Sequence, residues 1–284
     1  MLRAPSFPRR RQSRCFGVWI PALAGMTLSA CSSPVPVLPG RIVSNNPCID
    51  AVLAEVADPE SIGAVSAYSH DPDNSSAPVA WARRYPAIGS SAEEVIVRQP
   101  RLVLTGNIAS SGTNAALARA GIKVLAFGVP ADLAANERQV AEIAHAIGSD
   151  ARGKALVARM TQATVQSPMG PSAIIWTSGG FVAGKGTIQD EMLSRAGYWN
   201  ASTQYGLKQW DILPLETLLR RPPDVIFMPV TAKGDDGRSL ALRLRVLRHL
   251  GSRTRVVPFP ERLLNCGGPS VIQAMKIFRE AAPL

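Results

Sequence analysis

The sequence predicts an α/β protein built from two lobes that are separated by one helix. From Arg41 onward, short β-branched runs alternate with segments of helical periodicity, which is the order expected of an α/β fold. The alternation pauses at one helical segment near the middle of the chain and then starts again. In addition, a short unit that runs from a glutamate to a proline occurs once in each half.

The first lobe is predicted over residues 41–148. Gly121 follows one of its helical segments at the position where a left-handed residue commonly ends a helix. The predicted strands are 41–44, 62–65, 101–105 and 122–127, and the predicted helices are 49–57, 92–98, 113–120 and 132–147.

A connecting helix is predicted over residues 149–167, and the second lobe over residues 168–284. The pair Ser149 and Asp150 can cap the connecting helix, and Pro168 closes it. Its apolar stripe consists of Leu156, Val157 and Met160. In the second lobe we expect strands at 173–176, 224–228 and 255–259, and helices at 188–196, 215–220, 240–250 and 270–280.

The repeated unit begins at Glu93 in the first lobe and at Glu216 in the second. In both copies the glutamate opens a short helix, a proline seven residues later ends it, and an apolar strand follows at once. A glutamate near a helix N-terminus is stabilised by the unpaired N–H groups there, so capping alone would account for both. The alternative is a matched pair of acidic groups, one on each lobe.

Composition favours a globular protein and gives little support to nucleic-acid binding. Of the 284 residues 46% are hydrophobic, and 31 Lys and Arg face 21 Asp and Glu, for a net charge of +10. Much of this charge comes from arginines in the first 30 residues, and the remaining basic residues are scattered. The single basic run, residues 238–255, is typical of a helix with a solvated face.

The N-terminus is typical of an exported protein. Residues 1–30 combine a basic start, a short apolar stretch and small residues, so we expect a signal peptide. The tetrapeptide that ends at Cys31 resembles a lipobox, which predicts an acylated Cys31, a tether over 31–40 and a lipid-anchored periplasmic protein. An ordinary leader, or a start codon placed too far upstream, is the alternative. In an oxidising compartment Cys48 and Cys266 can pair with each other. The alternatives are that they face a bound molecule or are merely buried.

Several segments together resemble the periplasmic substrate-binding proteins of ABC importers for cobalamin, haem and ferric siderophores. They are residues 41–44, 62–66, 181–189 and 266–269 and the two glutamate-to-proline units. The resemblance implies two Rossmann-like lobes joined by a single long helix, with the ligand cleft between them. It implies a monomer without cofactor or catalysis that captures cobalamin or an iron chelate, siderophore or haem. The partner would be an ABC permease dimer with ATPase subunits, the only membrane contact of the protein itself being a lipid anchor.

The resemblance also suggests functional residues. Glu93 and Glu216 match the acidic groups that dock onto the permease. Tyr68, Phe181 and Trp210 match aromatic positions of cobalamin-binding members, whereas small residues stand at Ala87 and Gly106, where those members carry tryptophans. His70 and Lys185 complete the candidate ligand contacts, and Trp199 is expected in the core or at the rim.

A metal-binding protein and a periplasmic enzyme are the alternative functions on a similar two-lobe fold. The three histidines, His70, His145 and His249, show no metal-ligand spacing, so no metal site is predicted. The glycine-rich stretch around Lys185 imitates a phosphate loop, but Gly186 stands where Ser or Thr should hold Mg²⁺. A serine elbow, an HExxH pair and a close carboxylate dyad are all missing from the sequence.

Overall fold

The computed structural model describes residues 40–106, 111–229 and 237–282. The described residues belong to one compact unit. The predicted signal peptide 1–30, the acylated Cys31 and all but the last residue of the predicted tether 31–40 lie outside the described residues. No described helix is long and apolar enough to cross a membrane.

Helices and strands alternate along most of the described chain. The strands are β1 Ile42–Ser44, β2 Ile62–Ser66, β3 Ala87–Ile88, β4 Leu102–Gly106, β5 Val124–Phe127, β6 Ser172–Ile175, β7 Phe181–Ala183, β8 Trp199–Asn200, β9 Trp210–Ile212, β10 Val225–Met228 and β11 Arg255–Pro258. The helices are α1 Pro47–Val56, α2 Val79–Ala82, α3 Ala92–Ile96, α4 Ser111–Arg119, α5 Leu133–Ala146, α6 Asp150–Ala163, α7 Ile188–Arg195, α8 Leu215–Arg220, α9 Gly237–Leu250 and α10 Ser270–Glu280.

The first sheet has the order β3-β2-β1-β4-β5, and its pairings are parallel. Its central strands are buried on both faces because helices cover both sides, which explains their nearly continuous apolar sequences. On one face Leu53 of α1 and Ile143 of α5 pack against Ile42 and Leu104. On the other face the helices α3 and α4 pack against the same strands.

The second sheet has the order β11-β10-β6-β8 and is also parallel. An aromatic cluster fills one face: the Phe227 ring on β10 contacts the rings of Tyr198 and Phe278 edge-on, with centroids 5.4 and 4.8 Å apart. Phe259 stacks on Phe278 at 4.9 Å. Tyr198 also donates a hydrogen bond to the Phe278 carbonyl at 2.9 Å, so its buried hydroxyl is satisfied.

The segment between the sheets is a helical hairpin rather than one isolated helix. α5 and α6 have 14 residues each and meet at Gly148, whose φ of +76° permits the reversal. α6 ends at Ala163, four residues before the limit of the predicted connecting helix at residue 167, and the hydroxyl of Thr164 donates to the Met160 carbonyl there. Its buried side chains Leu156 and Met160 belong to the first core. The predicted lobe limits 41–148, 149–167 and 168–284 stay a prediction.

The two repeated units occupy equivalent places in the two sheets. α3 leads into β4, which lies between β1 and β5, and α8 leads into β10, which lies between β11 and β6. A further pair of strands, β7 and β9, forms a separate antiparallel ribbon. Neither of these strands was expected from the sequence.

Candidate functional site

Loops at the carboxyl ends of strands from both halves line two neighbouring cavities. Cavity A, of about 620 Å³, is lined by residues 72–74 after β2 and by residues that follow β6, β10 and β11. Cavity B, of about 470 Å³, is lined by Val129 to Ala131 after β5, and by Thr177, Gln209 and Trp210 of the second half. The cleft therefore lies where ligands bind in parallel α/β sheets, beyond the carboxyl ends of the strands.

The β7–β9 ribbon presents an apolar face beside cavity B. Phe181 pairs with Ile212, and Ala183 pairs with Trp210, so these four side chains lie on one face of the ribbon. Phe181, Trp210 and Ile212 are 42%, 46% and 57% exposed. Trp210 lines cavity B directly. Three large apolar side chains in water at a cleft mark a surface suited to a flat apolar ligand.

Tyr68 lies directly after β2 in the 3-10 helix Ala67–His70 and is 65% exposed. The turn that carries Tyr68 is hydrogen-bonded to Asp50 of α1, whose carboxyl group is fully buried. One oxygen of Asp50 accepts hydrogen bonds from the Ser66 N–H at 2.8 Å and from the Ser69 hydroxyl at 2.6 Å. Burial raises the pKa of Asp50 to about 7, since desolvation outweighs the serine hydrogen bonds that favour the charged form.

The other two candidate contacts lie at the edge of the site. His70 ends the Tyr68 turn and is half-buried, and its Nε2 atom has no hydrogen-bond partner among the described residues. Lys185 is exposed in the turn between β7 and α7, next to Gly186, which lines cavity B. Of the five predicted ligand residues, Trp210 is the one that lines cavity A or B itself. The tryptophan at position 199 is 40% exposed at the amino-terminal end of β8, away from the strand ends that form the cleft.

Glu261 lies at the centre of the cleft, because it lines both cavities. It follows β11 and accepts hydrogen bonds from the Ser178 N–H at 3.1 Å and the Ser178 hydroxyl at 2.6 Å. Neither residue was among the site residues expected from the sequence. The available signal was positional: each comes just after a predicted strand, where parallel sheets place their binding loops.

A disulfide and two hydrogen bonds join the two halves of the chain close to the cleft. Cys48 in the first turn of α1 forms a disulfide with Cys266, just before α10. The Asn136 side chain of α5 accepts a hydrogen bond from the Gly268 N–H. A Cβ atom on Gly267 would lie 2.3 Å from the oxygen of that Asn136 side chain, so the close approach requires glycine. At a third point, Glu191 of α7 accepts from the Leu133 N–H at 2.9 Å.

Glu93 and Glu216 occupy equivalent first-turn positions on α3 and α8, and both are exposed. At α3 the local capping is done by the neighbouring residues: Glu94 accepts a 2.6 Å hydrogen bond from Gly89, and Ser91 accepts one from the Glu94 N–H. The N-terminus of α3 is therefore capped without the Glu93 carboxylate. Among the described residues there is no group of three or more His, Cys, Asp or Glu side chains that could hold a metal ion.

Comparison with known proteins agrees with this architecture. The sequence profile of the periplasmic binding protein family matches residues 42–238. A search of curated proteins by sequence gave no match.

Solved structures share the fold at low identity. The periplasmic heme-binding protein RhuT from Roseiflexus sp. RS-1 is 23% identical, with a TM-score of 0.69 over 86% of this chain and 100% of that one. A periplasmic heme-binding protein from Pseudomonas aeruginosa is 20% identical, with a TM-score of 0.64 over 87% and 95%. HutB of Vibrio cholerae, also a periplasmic heme-binding protein, is 17% identical, with a TM-score of 0.65 over 86% and 99%. With the match of the family profile to most of the folded chain, this protein belongs to the periplasmic binding protein family.

Proposed function

We propose that this protein captures a ring-bearing nutrient, a tetrapyrrole or an aromatic iron chelate, in the cleft between its lobes and delivers it to an ABC permease. The observation that carries the proposal is the exposed apolar face of Phe181, Trp210 and Ile212 beside cavity B. Flat rings bury large apolar area against such side chains. Cavities A and B, at about 620 and 470 Å³, are in the range that holds a ligand of this size.

The candidate ligands are haem, cobalamin and ferric siderophores. Solved structures of the same fold are described as heme-binding proteins, which supports an iron tetrapyrrole. Tyr68 adds a phenol oxygen at the edge of the cleft, and tyrosine is one of the axial ligands that haem iron accepts in proteins. The aromatic face alone suits a corrin ring equally well.

Delivery would use the two exposed glutamates of the repeated units. A pair of carboxylates, one on each half of the chain, gives a two-point charged contact that sets the register on a symmetric permease. Retention at the membrane would come from acylation of Cys31, which raises the effective concentration near the permease. In both proposals the protein acts as a periplasmic binding component and does not make or break covalent bonds of its ligand.

The experiment is a titration of the purified mature protein with haem, cyanocobalamin and a ferric siderophore, followed by calorimetry and absorbance. We expect saturable one-to-one binding of at least one ring ligand. Trp210→Ala should weaken that binding about tenfold or more, because stacking of one ring on an aromatic side chain contributes roughly 1–3 kcal/mol. Trp199→Ala is the matched control, since this tryptophan is similarly exposed but lies away from the cleft. Equal effects of the two substitutions, or binding of none of the ligands, would reject the proposal.

A further inference from the structure

Glu261 belongs to the lining of both cavities of the cleft. It opens the 3-10 helix Glu261–Leu263 immediately after β11, is half-buried, and lines cavities A and B together. The Ser178 N–H and hydroxyl each donate to one of its carboxylate oxygens, which fixes the orientation of the group. A carboxylate held in this way cannot swing out of the cleft without losing both hydrogen bonds.

No described cation lies within ion-pair distance of this carboxylate. The ion pairs of the described residues, at His145, Arg159, Arg195 and Lys276, do not include it. The other charged residues that line the two cavities are Asp73 and Arg262. Arg262 lines cavity A and donates a hydrogen bond to the Gln273 side chain of α10 at 3.5 Å. The described charges of the cleft are thus two acids and one base.

The remaining polar lining is neutral. Side-chain amides and hydroxyls line the two cavities, contributed by Asn74, Thr177, Gln189, Gln209 and Asn265. Such groups can hydrogen-bond donors and acceptors alike, so they do not by themselves select the charge of a ligand. Selection by charge therefore falls to the three charged residues of the described lining, and Glu261 is the one of them that lines both cavities.

On this basis we infer that Glu261 is a specificity-determining residue of the cleft, and that it favours rings whose edges carry hydrogen-bond donors, such as carboxamide N–H groups, over rings that carry carboxylates. The inference rests on the proposed function, because it assumes that the cleft holds a ring-bearing ligand. A carboxylate accepts a stronger hydrogen bond from an amide than a neutral acceptor does. The same carboxylate repels a ligand carboxylate in a partly dehydrated cleft.

The test compares two tetrapyrroles of opposite periphery: dicyanocobinamide, a corrin that carries carboxamides, and haem, which carries propionates. Dissociation constants are measured near neutral pH for the mature wild-type protein and for Glu261→Gln, which keeps the shape of the side chain. We expect Glu261→Gln to shift the ratio of the two dissociation constants about tenfold toward haem, through weaker cobinamide binding and unchanged or tighter haem binding. Glu142→Gln, on the exposed face of α5, is the control and should leave the ratio unchanged.

A second variant separates the negative charge of residue 261 from its effect on the loop. Glu261→Asp shortens the side chain but keeps the carboxylate, so it should retain more of the wild-type preference between the two rings than Glu261→Gln does. A ratio that Glu261→Gln does not change, or that Glu261→Asp shifts as much as Glu261→Gln does, would overturn the inference while leaving the binding function intact. If the wild-type protein binds no ring ligand at all, the proposed function itself fails.

Discussion

The disulfide between Cys48 and Cys266 connects the first helix of the described chain to the loop before its last helix. The two cysteines are separated by 218 residues in sequence, so the bond closes a very long loop. In the unfolded chain such a closure removes conformational entropy that grows with the logarithm of loop length. For a loop of this length the chain-entropy relation gives about 5 kcal/mol at 25 °C.

We therefore expect the double variant Cys48→Ser/Cys266→Ser to lose up to about 5 kcal/mol of unfolding free energy. The measurement is denaturant unfolding of the wild-type and variant proteins, followed by circular dichroism and tryptophan fluorescence. Unfolding of the wild-type protein under reducing conditions is the control and should reproduce the loss, because it breaks the same bond without changing a residue.

The result also reports on how the two halves unfold. If they unfold together, both optical signals shift by the same amount on reduction. A loss below about 1 kcal/mol would refute the reasoning, since it would mean that linking the two ends of the chain does not restrict the unfolded state.

Two further substitutions test the buried carboxyl and the exposed pair. Because the folded-state pKa of Asp50, about 7, lies above its ordinary value of 3.8, the unfolded chain releases this proton first as pH rises. Its contribution to stability is thus present below about pH 4 and is lost by about pH 7, a change of at most about 4 kcal/mol. Asp50→Asn should remove that dependence, and a wild-type minus variant difference that is flat across this range in denaturant unfolding would contradict it. Glu93→Arg/Glu216→Arg should abolish uptake of the ligand by cells that depend on this protein while leaving the dissociation constant of the purified protein unchanged. Glu60→Arg/Glu142→Arg, a matched reversal elsewhere on the surface, should transport normally; transport by the first double variant would end the docking proposal.

The fold class was predictable because local patterns and the global architecture agree. Residues 225–228 are a short run of apolar residues that follows Pro223 and Asp224, and a run of this length bounded by prolines favours a buried strand. The structure places β10 there, in the middle of the second sheet. The family resemblance and the two-lobe α/β class were confirmed by the family profile and by the shared fold.

The β7–β9 ribbon could not be predicted in the same way. Each strand has three residues, and Trp210 to Ile212 shows no alternation long enough to be recognised. Its partner lies 27 to 31 residues earlier in the chain, as the register of Ala183 with Trp210 and of Phe181 with Ile212 shows. The pairing that makes an apolar face out of three separate side chains is a tertiary contact.

By itself, the sequence determined the α/β class, most of the longer helices and strands, the duplicated glutamate-to-proline unit and the family. These properties depend on neighbours along the chain: hydrophobic period, capping residues and prolines. Only the tertiary structure decided that Cys48 meets Cys266, that Asp50 lies beneath the turn of Tyr68, and that Glu261 stands between the two cavities. Each of these contacts joins residues far apart in sequence, and its energy depends on burial and distance, which no local pattern encodes.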